Sequence, residues 1–204
     1  MIRDAVLTDM DALAKLHSES FNNHFLPKLG NKLLSKYYKE FLNDENIFIV
    51  SVDVENNING LLLGTANSSI GRNSFIKNNK IKLTLRVALL CLKFDLDTWK
   101  RVKNFIKSKM KVDYKEVKQT ENFEIFSGDY LSLLSICVSE KAKGMGISKL
   151  LVERFEEKLK TNSYEGYRLS VYKSNYRANG FYKKNGMSIY KESNEEYLFV
   201  KKLS

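Results

Sequence analysis

Proline and cysteine are nearly missing from this chain, with one Pro and two Cys among 204 residues. The single Pro27 excludes a proline-rich linker and marks one break in the chain. Cys91 and Cys137 lie in apolar stretches without metal-ligand spacing, which excludes a disulfide framework and reads as buried thiols in a reducing compartment. Two histidines, His17 and His24, are too few for a histidine-based zinc site, so no metal is expected. No apolar run reaches the roughly 20 residues of a membrane-spanning helix. No leader-like segment opens the chain, and the expected location is cytoplasmic. Hydrophobic residues at 43% and aromatics at 12% exclude a disordered chain and leave one globular domain over 1–204.

Acidic residues are scarce in one place only. Residues 71–120 hold 14 Lys or Arg against 4 Asp or Glu, while the rest of the chain balances 20 against 20. The net charge of +10 therefore belongs to this segment and speaks of its partner, not of the whole fold.

The remaining pattern is that of a mixed α/β domain. MIRDA reads as a first strand, and TDMDALAKLHSESF as a helix with Thr8 as its cap and Leu13, Leu16 and Phe21 near helical spacing. After Pro27, NKLLSKYYKEFL reads as a second helix with Leu33, Leu34, Tyr37 and Phe41 inward. IFIVSVDV and INGLLLGTA flank the turn-forming ENN as a hairpin. Residues 121–138 return to strand character, ending in LSLLSICV. A helix over 147–160, the strand YRLSVY, a short helix closed by Gly186 and a hairpin of MSIY with EEYLFVKKL complete the order. Residues 71–120 interrupt it. KIKLTLRVALLCLKF aligns Lys82, Arg86 and Lys93 in one narrow helical stripe, and LDTWKRVKNFIKSK follows with Asp97 as a possible cap and Trp99, Val102, Phe105 and Ile106 on one side. Together they read as a basic helical hairpin, with a strand over Ile81 to Val87 as the alternative for the first half.

Gly144 and Gly146 stand one residue apart in KAKGMGISKLL, between the apolar strand and the helix at 147. A strand-to-helix loop aims several amides one way, and the helix dipole adds positive potential, so the loop suits a phosphate or pyrophosphate. Lys143 and Lys149 can add charge to its oxygens. The spacing is neither that of a Walker loop nor of a three-glycine dinucleotide fingerprint, and a plain tight turn explains the glycine pair equally well.

A second cluster decides between them. SVYKSNYRANGFYKKNGM carries Val171, Asn175, Ala178, Phe181, Tyr182, Gly186 and Met187 in regular order after a strand. With the glycine loop, it resembles the GNAT superfamily of acyl-CoA-dependent N-acyltransferases, in a bacterial subgroup with a helical insertion. In that register Val138 starts the first motif, Lys143 takes the Arg/Gln position, Gly146 the glycine and Ser148 the Gly/Ala position. A register two residues back, with Lys141, Gly144 and Gly146, fits the glycines but breaks the spacing from Val138.

The resemblance implies a mostly antiparallel twisted sheet of about seven strands flanked by helices, with acetyl-CoA as co-substrate. It implies that the edge Ile136, Cys137 and Val138 holds the pantetheine arm and the acetyl carbonyl. It implies that the amides of Lys143, Gly144, Met145, Gly146, Ile147 and Ser148 hold the pyrophosphate. Asn175 would bond the pantetheine or cap its own helix. Tyr182 would protonate the leaving thiolate, or simply pack its ring, and Phe181 is core. The reaction implied is direct attack of an amine on the thioester, with the oxyanion held by the Val138 amide. Asp129, Glu124, Glu121 and His17 are the available proton acceptors, each more simply a solvated or helix-face residue. Cys137 has no paired histidine and reads as a buried small residue.

The acceptor is expected to be a primary amine of a small molecule, an amino sugar by the likeness of LAKLHSESFNNHFLPKLGNKLLSKYYKEF to a subgroup met in surface-polysaccharide contexts. The rival readings are a non-catalytic acyl-CoA sensor, or an acetyltransferase of a protein N-terminus, a lysine or RNA. Residues 72–118 can wall the site, meet a second subunit or lie on an anionic surface. The segment lacks the glycine–aromatic interleaving of RNA-binding sheets, so no specific nucleic acid is expected.

Overall fold

The computed structural model describes residues 1–22, 24–93 and 129–203, together with Leu96, Trp99, Lys100, Val102 and Lys103. Seven strands form one sheet: β1 (Ile2–Asp4), β2 (Asn46–Val52), β3 (Ile58–Thr65), β4 (Tyr130–Val138), β5 (Gly166–Tyr172), β6 (Ser188–Glu192) and β7 (Glu196–Lys202). Their spatial order is β1-β2-β3-β4-β5-β7-β6, and every neighbouring pair is antiparallel except β4 with β5. The helices are α1 (Met10–Ser20), α2 (Phe25–Lys28), α3 (Asn31–Lys39), α4 (Ser68–Leu92), α5 (Ile147–Thr161) and α6 (Tyr176–Lys184).

Both faces of the central strands are buried, which is why β2 reads as a nearly continuous apolar run. Phe48, Val50, Leu61 and Leu63 point to one side, where Leu13, Leu16, Leu34, Tyr38 and Phe41 of the α1–α3 layer cover them. Ile47, Ile49 and Leu62 point to the other, under Leu151, Phe155 and Leu159 of α5. Hydrophobic burial on two faces thus fixes the strand register, because a one-residue slip would exchange the two sets.

Several local expectations change. Thr8 does not cap α1. The carboxylate of Asp9 turns back instead, accepting the Val6 amide at 2.8 Å and pairing with Arg3 at 2.7 Å, so a short 3₁₀ turn over Leu7–Asp9 precedes the helix. Arg3 holds the Asp9 carboxyl below its usual range, chiefly through this hydrogen bond. Pro27 does not break the chain. It sits inside the four-residue α2, where the first turn of a helix needs no amide donor. On α3 the fully buried tyrosine is Tyr38, while Tyr37 is half-buried. Cys137 is buried but Cys91 is only half-buried.

The first half of the basic insertion is helical, not extended. α4 starts at Ser68, with the Asn67 side chain accepting the Ser69 amide at 2.9 Å. It bends at Asn79 (φ −123°, ψ 19°), whose side-chain amide donates to the Phe75 carbonyl at 3.0 Å. A side chain competing for a helix carbonyl is a sufficient cause for the kink. Most of the second half, including Asp97, Phe105 and Ile106, and the strand expected over 121–128 lie outside the described residues.

Gly64 is the tightest contact between sheet and helix. A Cβ there would lie 2.3 Å from Cε2 of Phe155, a side chain with no exposed surface. Gly64→Ala should therefore cost about 1–3 kcal/mol through overpacking, read as a lower urea midpoint at unchanged m-value. Phe155→Leu added to it should recover part of the loss, and full stability of the single variant would contradict this packing.

Candidate active site

Parallel pairing between β4 and β5 covers only Tyr130–Gly166, Leu131–Tyr167 and Ser132–Arg168. Beyond these pairs β5 stays bonded to β7 as far as Tyr172 and Glu196, and β4 stays bonded to β3 as far as Val138 and Gly60. The two strands therefore diverge. A bulge begins the divergence, because Gly64 faces Leu133 and Leu63 faces Ser135, leaving Leu134 unpaired and partly exposed. A cavity of about 680 Å³ occupies the wedge, lined on the sheet side by Leu133, Leu134, Ser135, Ile136 and by Leu169 to Tyr172.

The direction of the β4 backbone follows from one bond. Ser139 donates its amide to the Asn59 carbonyl at 2.8 Å, which makes this a hydrogen-bonded pair. In an antiparallel ladder such pairs alternate, so the polar groups of Cys137 face β3 and those of Ile136 and Val138 face away from it. The Ile136 and Val138 amides thus point toward the wedge. Of the three side chains, only Ile136 lines the cavity. Cys137 packs with the α1–α3 layer, where burial pushes its thiol up to about 12, and Val138 packs under α5.

β4 leads into the loop, a 3₁₀ turn over Glu140–Ala142, and then α5. Ala142, Lys143 and Met145 donate their amides to carbonyls at Ser139, Glu140 and Ala142. The amides of Gly144, Gly146, Ile147 and Ser148 donate to no described backbone group. Gly144 (φ 83°) and Gly146 (φ 76°) are left-handed, and a Cβ at either would meet only open space. The glycines are thus required by conformation, with the space before them clear for a ligand. Ser148 lies in the first turn of α5, just beyond the two left-handed glycines. Lys143 closes on Glu140, and Lys149 lies 3.6 Å from Glu153; both pairs are exposed. Surface pairs of this kind are weak and leave either ammonium available to an anion.

On the far side of the wedge, α6 presents Asn175, Ala178 and Tyr182 to the cavity. Asn175 acts as a helix cap, its side-chain oxygen accepting the Ala178 amide at 3.1 Å. Asn179 donates to the Tyr172 and Lys173 carbonyls at 3.1 Å, tying α6 to the free end of β5. Tyr182 is 7% exposed, and burial pushes its hydroxyl up to about 12. Phe181 packs edge-on against it, as core.

The wall opposite holds residues that sequence patterns hid. His17 lines the cavity, buried on α1, with Nδ1 2.5 Å from the Tyr38 hydroxyl. That hydroxyl lies 3.5 Å from the Ser135 hydroxyl on β4. Burial, with a smaller contribution from His24, lowers the His17 pKa to about 4, and burial raises that of Tyr38 well above its ordinary value. Both groups are therefore neutral near pH 7. Phe21, Phe25, Leu26, Tyr37, Phe75 and Leu83 give this wall its apolar part, beside His24 and Arg72, and Glu196 of β7 supplies a carboxylate to the cavity from the β5 side. Asp129 sits at the other end of β4, where its carbonyl accepts the Glu165 amide, and does not reach the cavity wall. Glu121 and Glu124 lie outside the described residues. Of these, the sequence marked His17 alone, as an available proton acceptor; Tyr38, Ser135 and Glu196 carried no local signal.

Comparison with known proteins agrees with this geometry. The model of the acetyltransferase (GNAT) family matches residues 111–187. The fold is similar to a PaiA N-acetyltransferase of Thermoplasma acidophilum in complex with coenzyme A (TM-score 0.60, 14% identity, 100% of this chain and 98% of that one). It is similar to a GNAT-family acetyltransferase of Staphylococcus aureus Mu50 (0.60, 12%, 100% and 99%). A third is the ribosomal-protein-S18-alanine N-acetyltransferase of Escherichia coli (0.58, 11%, 100% and 94%). No curated protein matched the sequence.

The buried His17 links stability to pH. Its pKa falls from 6.5 to about 4 on folding, so between these values the unfolded chain binds more protons. Its contribution is present above pH 6.5 and is lost as pH falls toward 4, by up to about 3 kcal/mol. Urea midpoints at pH 7 and pH 4.5 should separate less in His17→Gln than in the unaltered chain, and equal separations would contradict burial of a neutral ring.

Proposed function

We propose that this chain, whose acetyltransferase domain is of the GNAT family, transfers an acetyl group from acetyl-CoA to a primary amine carried on a small, largely apolar body. The observation that carries the reading is the wedge between β4 and β5, with free amides along one edge and at its loop end. An extended thioester arm fits beside a strand edge that has lost its ladder partner, and a pyrophosphate fits an open loop at a helix N-terminus.

The chain's own groups divide the work. The amides of Gly144, Gly146, Ile147 and Ser148 receive the pyrophosphate, with the α5 dipole behind them. The Ile136 edge holds the pantetheine arm, and the Val138 amide receives the oxyanion that forms as the amine attacks the thioester carbon. When the C–S bond breaks, Tyr182 meets the leaving sulfur as a donor. A phenol at about 12 cannot hand its proton fully to a thiolate near 8.5 without an uphill step. Its effect therefore belongs at the low end of general-acid catalysis. Among the described residues lining the cavity, Glu196 is the carboxylate, and it draws the ammonium form of the acceptor to the rim and takes its proton through water. His17, neutral and bonded to Tyr38, orients the wall.

The aromatic and aliphatic cluster of Phe21, Phe25, Leu26, Tyr37 and Phe75, beside the polar His24, Arg72 and Glu196, supports an amine on an apolar or aromatic body over an amino sugar. A thiol-release screen should show acetyl-CoA turnover with arylalkyl and alkyl amines above amino sugars. Binding of acetyl-CoA without turnover by any amine would turn the reading toward a sensor, and the reverse substrate order would overturn the apolar acceptor. Tyr182→Phe should lower kcat by about 10²-fold with KM for acetyl-CoA little changed. Gly146→Val should instead raise that KM, because a β-branched residue at φ 76° moves the amides.

A further inference from the structure

α4 is apolar on two opposite faces. Phe75, Leu83 and Val87 pack inward against Leu29 and Leu33, and Arg86 donates to the Lys28 carbonyl at 2.9 Å. On the other side Ile81, Leu85, Leu89 and Leu92 recur at helical spacing and are 76%, 61%, 51% and 74% exposed. A helix packed on a globular domain normally turns a polar face to water. An outward stripe of four large aliphatic side chains is instead the mark of a docking surface.

Charge identifies the partner. α4 carries Arg72, Lys77, Lys80, Lys82 and Arg86 and no acidic residue. Lys82 beside Lys36 of α3 lowers the Lys36 pKa, through a hydrogen bond and like charge, so cations crowd the rim of the stripe. A second copy of the chain would cover the leucines but bring two sets of cations together, with no α4 carboxylate to answer them. An anionic bilayer accepts the aliphatic side chains and neutralises the rim at once. Among the described residues no helix is long and apolar enough to cross a membrane, so α4 would lie in the interface. We propose that the outer face of α4 docks this chain on an anionic phospholipid surface through Ile81, Leu85, Leu89 and Leu92, with Lys77, Lys80 and Lys82 at the headgroups.

Flotation of the full chain tests this with phosphatidylcholine vesicles with and without phosphatidylserine. The chain should float with the anionic vesicles, less with phosphatidylcholine alone, and less as salt rises. Leu85→Ser with Leu89→Ser should weaken partition by at least about tenfold, and Lys82→Glu by about fivefold or more. All three side chains are exposed and off the cavity wall, so the variants should keep the unaltered melting temperature. Absence of flotation at low salt, or flotation unchanged in the double leucine variant, would overturn the proposal. So would a dimer in sedimentation equilibrium that the double leucine variant abolishes while anionic vesicles bind nothing.

Discussion

A parallel strand pair that stops bonding partway leaves a row of backbone donors and acceptors facing each other across a gap, each costly to bury without a partner. β4 and β5 do this after three residue pairs, and much of the fold serves to hold them apart. β4 cannot close the gap because β3 holds it from Ser132 to Val138, with the unpaired Leu134 turning its direction. β5 cannot close it because β7 inserts between β5 and β6 and bonds it from Gly166 to Tyr172. Phe155 over Gly64 and Asn179 at the end of β5 fix the helices that cover each side. The opening is thus enforced by neighbours, not by anything within the two strands.

The polar pairs inside this frame follow the same logic. Arg3 with Asp9 secures the start of α1 against β1, and α1 then carries His17 to Tyr38. Tyr38 in turn reaches Ser135 beside the bulge, a contact across 97 positions of sequence. A buried imidazole and a buried phenol would each be costly alone; as partners they satisfy one another and set where the wall stands.

Local pattern made the elements legible. The apolar run IFIVSV, the helical spacing after Gly146 and the Asn175–Gly186 run correspond to β2, α5 and α6. What stayed hidden depended on remote partners. Leu134 is a bulge only because Gly64 and Leu63 pair on either side of it. Tyr37 and Tyr38 are identical neighbours whose fates differ because one meets α4 and the other the sheet. His17 reads as a helix-face residue until Tyr38 is placed against it, and Glu196 as the start of a closing strand until β7 lies next to β5. The loop glycines were legible because positive φ leaves a trace in composition.

Gly144, Gly146, Ile147 and Ser148 offer main-chain nitrogens, and every residue but proline has one. A site of this kind presents a small mutational target. Most substitutions around it alter side chains and leave these nitrogens in place, so the loop is inherited with the backbone. The cavity lining, by contrast, includes His17, Phe21, Phe25, Tyr37, Arg72 and Glu196, where each single change alters shape or charge. Descendants of one such fold can therefore drift far in sequence and reshape the cavity while keeping the loop.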